Sequence, residues 1–122
     1  MSPVVPHFEL SDESPDGGAH IICVRGEIHV TTAPRFAAHL NAAIESGKTA
    51  VVLDMTGVEF IDSTGLSVLL NGLRFMGQRR GRLALVCTNP TVLRLFQITN
   101  LDSTFDIFGD RPQAIAHVTA PD

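Results

Sequence analysis

Twice in this chain a continuous apolar run of strand length leads into a pattern with helical period: "TAVVLDM" before "LSVLLNGLRFMGQRRG", and "RLALVCT" before "NPTVLRLFQITN". A run without polar alternation suits a strand covered on both faces, and a stripe recurring every three or four residues suits the helix that covers it. The first helix carries Leu66, Leu69, Leu70, Leu73 and Met76 on one stripe and ends at Gly81. The second has Asn89 as N-cap, Pro90 at its first position and Val92, Leu95 and Phe96 turned inward.

Upstream, "HFELSDE" and "HIICVRGEIHV" flank "SPDGG", whose Asp-Gly and Gly-Gly steps supply the positive φ of a tight hairpin. "TTAPRFAAHLNAAIESG" predicts a helix capped by Thr31 or Thr32, with Pro34 in its first turn, Phe36, Leu40, Ala43 and Ile44 on its inner stripe, and Gly47 at its end. "TFDIFG" predicts a short last strand and "RPQAIAHV" a terminal helix. The order β-β-α-β-α-β-α-β-α places the chain in the α/β class, as a parallel-rich sheet with helices packed over it. Ligands of such sheets sit at the carboxyl ends of strands.

At 122 residues the chain fits one domain, 1–122, with an ordered core expected over about 7–118. Nine basic against thirteen acidic residues give a net charge of −4, and the basic stretch "RFMGQRRGR" is short, so direct nucleic-acid binding is not expected. No apolar run is long enough to span a membrane, and "MSPVVPHFEL" lacks the basic and apolar regions of a signal peptide, so the expected place of work is the cytoplasm. Cys23 and Cys87 each lie inside an apolar run and are expected as reduced core residues. The five histidines show no ligand spacing, and neither a metal nor a cofactor is expected.

The strand-to-helix junction "VEFIDSTGLSVLL", residues 58–70, holds the residues of most interest. In the plainest reading Asp62 caps the helix, Ser63 and Thr64 are small polar residues of its first turn, and Gly65 permits a tight approach. A second reading adds a protein-binding face, because Val68 and Phe75 fall nearly opposite the core stripe on the side shared with Thr64. Cover of Phe75 by a neighbouring helix would explain the same pattern. A serine hydrolase reading has only the exposed serine in its favour, since GxSxG is absent, and GxxxxGK[ST] and GxGxxG are absent too; the chain is not read as an enzyme. A phosphate on Ser63 would meet the amides and dipole of the helix N-terminus and bring about −1.5 to −2 of charge.

Through "VRGEIHVTTAPRF", "AVVLDMTGVEFIDSTGLSVLL" and "RLALVCTNPTVLRLFQITNLDSTFDIF" the chain resembles the STAS domain family, and within it the stand-alone anti-sigma factor antagonists. The middle segment is the specific one: strand, short spacer, D-S-[ST]-G-L and amphipathic helix together. The resemblance implies a single STAS domain with helices on a mixed sheet, and a regulatory serine at Ser63. It implies that the unphosphorylated protein binds an anti-sigma factor, a serine kinase of the GHKL ATPase fold, and so frees the sigma factor. Phosphorylation of Ser63 would weaken that complex and a PP2C-type phosphatase would reverse it. Asp62 would flank the phosphosite, Gly65 would keep the helix start open to the kinase, and Thr64, Val68 and Phe75 would lie in or near the docking face. The family commonly has an acidic residue after "GEI", where this chain has His29. STAS-like domains also serve as nucleotide- or lipid-binding or scaffold modules without a kinase switch, which is the alternative the resemblance leaves open.

Overall fold

The computed structural model describes residues 7–15 and 17–121. The outermost residues of the expected domain, 1–6 and 122, and Asp16 of the expected Asp-Gly turn lie outside them. Strand β1 (Phe8–Glu13) pairs antiparallel with β2 (His20–Ile28) as the hairpin expected. Helix α1 (Ala33–Glu45), strand β3 (Ala50–Ile61), helix α2 (Ser63–Gln78), strand β4 (Arg82–Val86), helix α3 (Pro90–Ile98), strand β5 (Asp106–Phe108) and helix α4 (Arg111–Thr119) follow in the order read from the sequence. The sheet runs β1-β2-β3-β4-β5, with β2 to β5 mutually parallel.

Helices α1, α2 and α3 cover one face. Phe36, Leu40 and Ile44 of α1, Leu66, Leu69 and Met76 of α2, and Val92 and Phe96 of α3 pack there on Ile22, Val24, Val51, Leu53 and Leu85 of the strands. Helix α4 alone covers the other face, where Ala114 and Val118 meet Ile21, Val52, Ala84 and Val86. The first half of β3 therefore lies under cover on both sides, which accounts for its unbroken apolar run.

Strand β3 is longer than that run. Residues 56–61, read as a short spacer, continue the strand as far as Ile61. Pairing with β4 stops at Asp54↔Val86, whereas pairing with β2 continues to Ile28↔Ile61. The second half of β3 thus has a strand neighbour on one side only. On the other side the Asn89 side chain donates to the Val58 carbonyl at 3.2 Å, tying the start of α3 to β3.

Two local expectations are corrected. Thr32 stands at the N-cap of α1, but its hydroxyl makes no capping bond; it donates to the Glu27 carbonyl at 2.7 Å and accepts from the His29 amide at 3.0 Å, closing the preceding turn instead. Cys87 is buried, but Cys23 is only half-buried. Ile22 and Val24 take the three-helix face, so Cys23 points to the opposite one, at the border of the area α4 covers, where Arg111 Nη2 donates to its sulfur at 2.8 Å. There it lines an open recess of about 500 Å³ with Ser11, Glu13, Arg25, Asp54, Thr56 and Arg111, among others.

Arg111, at the start of α4, holds this region together: Nε donates to Asp54 Oδ2 at 2.6 Å and Nη2 lies 3.0 Å from Glu13 Oε2. Burial alone would push the Asp54 carboxyl up, but bonds from the Thr56 hydroxyl and Arg111 outweigh it and hold the group below its ordinary range. A depressed folded-state value means stability that is present above the unfolded pKa of about 3.9 and is lost as pH falls through the folded one. Replacing Asp54→Asn should lower stability by roughly 1–3 kcal/mol at neutral pH. In urea titrations, the gap between wild type and variant should close progressively as the pH is taken below about 4.

Candidate functional site

The β3–α2 junction is one residue long. Asp62 leaves the strand with extended backbone angles, φ −109° and ψ −172°, and Ser63 is already the first residue of α2. The Asp62 amide donates to the Ile28 carbonyl at 3.1 Å, so the turn is anchored to the end of β2. Its carboxylate oxygen Oδ1 accepts from the amides of Thr64 at 2.9 Å and Gly65 at 3.1 Å, and from the Thr64 hydroxyl. Burial acts to raise the Asp62 pKa, but the Thr64 hydroxyl and the amides of Gly65, Thr64 and Val30 outweigh it and hold the carboxyl below its usual range.

The two adjacent hydroxyls have different environments. Thr64 is half-buried and its hydroxyl is turned back onto the capping carboxylate. Ser63 is exposed; its carbonyl accepts from the Ser67 hydroxyl at 3.0 Å, while its own hydroxyl has no partner among the described residues. A reagent arriving from solvent therefore meets the Ser63 oxygen unencumbered. Of the helix-start amides expected to receive a Ser63 phosphate, those of Thr64 and Gly65 already donate to Asp62.

Gly65 makes room on the inner side. A Cβ there would stand 2.6 Å from Ile61 Cγ1 and 2.8 Å from Ile28 Cγ2, so the glycine lets the first turn of α2 sit directly on the ends of β2 and β3. Gly72 does the same one helix width away, where a Cβ would meet Leu40 of α1 at 2.5 Å, which shows the side of α2 that α1 occupies. Val68 and Phe75 lie on that shoulder, half-buried against the main core, with the Arg79 guanidinium 5.1 Å from the Phe75 ring centre. They are an edge of the core as well as a surface.

His29 follows Ile28 where β2 ends, and the register sets Ile28 beside Ile61, so His29 and Asp62 leave neighbouring strand ends. The imidazole Nδ1 accepts from the Thr31 amide at 3.2 Å, which leaves the neutral ring its proton on Nε2. None of the described histidines bonds to Ser63: the rings of His7, His20, His39 and His117 are paired with Glu9, Asp12, Asp12 and Asp106. A base-activated nucleophile has no support here, and no group of three metal-ligating side chains occurs among the described residues. No described helix is long and apolar enough to cross a membrane.

The sequence reading passed over Val30 and Phe60, which lie at this same end and are 69% and 45% exposed. Phe60, Ile61, Thr91, Val92 and Leu95 line a small groove between the end of β3 and α3. The outward position of Phe60 in the alternating half of β3 was the only sequence signal for it.

The family model described as STAS domain matches residues 15–114. The chain is 34% identical to the anti-sigma-B factor antagonist of Listeria monocytogenes over 101 residues, 82% of this chain and 86% of that one. It superposes on the crystal structure of an anti-sigma factor antagonist from Mycobacterium paratuberculosis with a TM-score of 0.84 at 29% identity, covering 92% of this chain and 94% of the other. It is also similar to the Bacillus cell fate determinant SpoIIAA in its phosphorylated form, with a TM-score of 0.68 at 25% identity over 92% of this chain and 99% of that one.

Two substitutions test the turn. Asp62→Ala should cost about 1 kcal/mol through lost capping. Gly65→Ala should cost roughly 1–3 kcal/mol, because both isoleucines must shift and the gain in helix propensity is smaller. Thermal unfolding of each variant against the wild type checks both values, and Gly65→Ala unfolding at or above the wild-type temperature would contradict the packing described.

Proposed function

The chain belongs to the STAS domain family, and from that premise we propose that it is an anti-sigma factor antagonist switched by phosphorylation of Ser63. Its unphosphorylated form binds an anti-sigma factor that is also a serine kinase of the GHKL ATPase fold, and binding frees the sigma factor. Phosphorylation by that kinase ends the association, and a PP2C-type phosphatase restores it. The protein is a regulatory binding protein rather than an enzyme, working in the cytoplasm, and Ser63 is a substrate residue. The observation that carries this reading is the free Ser63 hydroxyl on a helix start held rigid by Asp62. The names of the relatives support the same role.

With the Thr64 and Gly65 amides occupied, a phosphate on Ser63 would stand beside the Asp62 carboxylate with two donors of the helix start already taken. A partner covering the turn must then strip water from a group bearing about −1.5 to −2 of charge. A cost of roughly 3 kcal/mol lowers affinity more than a hundredfold, which suffices for a switch. The alternative, a nucleotide- or lipid-binding module, loses its plainest anion cradle to the same Asp62 contacts.

The test pairs the protein with the anti-sigma factors encoded in the same genome, using calorimetry without ATP and mass mapping after incubation with ATP. One of them should bind the wild type and Ser63→Ala, fail to bind Ser63→Glu, and transfer phosphate to Ser63 alone. No binding by any of them, or phosphate elsewhere only, overturns the reading. His29→Asp places a carboxylate near the acceptor site and should slow phosphorylation or shift complex affinity several-fold. Identical kinase kinetics and affinity for both proteins would remove His29 from the docking face.

A further inference from the structure

We propose that the groove between the end of β3 and α3 forms part of the docking surface for the anti-sigma factor. It would receive one apolar side chain that the partner carries next to a lysine or arginine. This inference rests on the reading of Ser63 given above and extends it to a surface that reading does not use. The groove is lined by Phe60 and Ile61 from β3 and by Thr91, Val92 and Leu95 from α3, and encloses about 190 Å³, room for one side chain rather than a cofactor. It opens because β4 stops pairing at Asp54↔Val86 while β3 runs on, leaving α3, tied through Asn89 to Val58, as the only wall on that side.

Two features assign the occupant. The first is continuity: Ile61 lines the groove and directly precedes Asp62, so a partner that covers Ser63 is already at its rim. Val30, whose amide helps to lower the Asp62 pKa, continues the apolar surface on the far side of the turn, and Ile98, 68% exposed, extends it along α3. The second is charge. The segments 26–32, 56–66 and 87–93, which build this end of the sheet, contain Glu27, Glu59 and Asp62 and no lysine or arginine. Arg94 is the one basic residue of α3 and does not line the groove. An apolar slot at an end of the sheet whose nearby segments carry carboxylates and no lysine or arginine complements an apolar anchor flanked by cations.

The experiment is calorimetric titration of the anti-sigma factor selected by the Ser63 test, at low and high salt, against wild type, Phe60→Ser, Leu95→Ala, Leu95→Asp and Glu59→Gln. Melting curves identify any variant that loses its fold. Leu95→Asp should weaken binding at least about tenfold, or 1.4 kcal/mol. Leu95→Ala and Phe60→Ser should weaken it less, and Glu59→Gln should flatten the salt dependence. Folded Leu95→Ala and Phe60→Ser binding like the wild type overturns the proposal while leaving the Ser63 switch standing. A dimer that Leu95→Asp dissolves without changing partner affinity also overturns it, by giving the groove to a second copy. If no anti-sigma factor binds even the wild type, the Ser63 reading fails and the groove assignment falls with it.

Discussion

Everything at the candidate site depends on the parallel pairing of β2 with β3 along nearly their whole length. That ladder carries Ile28 and Ile61 to the same level, and the bond from the Asp62 amide to the Ile28 carbonyl continues it one step past the strand. Asp62 is thus placed before its side chain does anything. Its carboxylate can then take the first free amides of α2, and the helix starts at a fixed point instead of fraying. Ser63 inherits its position from backbone bonds and from its neighbours' contacts, and its hydroxyl takes no part, which is what a residue needs if it is to be presented without its side chain being used in the fold.

The unequal cover of the sheet explains the rest of the surface. Three helices bury one face, and the single helix α4 covers only part of the other. The uncovered part, around Ser11, Cys23 and Arg25, is polar, and Arg111 spans from α4 to Asp54 and Glu13 at its border. An isolated guanidinium between two carboxylates at a surface contributes modestly, but here one partner, Asp54, is largely out of solvent, so losing Arg111 leaves a mostly buried carboxylate without its cation. This is a structural clamp, and it lies on the side of the sheet away from α2.

What the sequence made legible was local. Element order followed from apolar period, and Asn89 was recognised as a cap because capping chemistry involves residues only a few positions apart. Asp62 could be read as a cap in the same way, and its extended backbone and bonds from Thr64 and Gly65 bear that reading out. The second half of β3 was missed because "TGVEF" alternates apolar and polar residues around a glycine and a threonine, as a loop also does. How far Cys23 is covered depends on where α4 begins, and the groove at Phe60 depends on where β4 stops. Neither boundary is written in the residues concerned. Val68 and Phe75 projected correctly to one side of α2, but only Gly72 against Leu40 reveals that α1 stands beside that side.

The charge distribution constrains how a phosphate could act. An end of the molecule that already bears Glu27, Glu59 and Asp62 would favour a cationic partner, and more negative charge at Ser63 would by Coulomb attraction alone strengthen that encounter. A phosphate that ends binding must therefore act at close range. A partner closing on the turn between the exposed Val30 and Phe60 would exclude water, and a dianion denied the Thr64 and Gly65 amides would then lose hydration with little compensation. Asp62 avoids this penalty because its charge is spent on the helix amides. The capping carboxylate and the free hydroxyl beside it are complementary parts of one arrangement: by claiming the Thr64 and Gly65 amides, Asp62 would leave a Ser63 phosphate mainly to solvent.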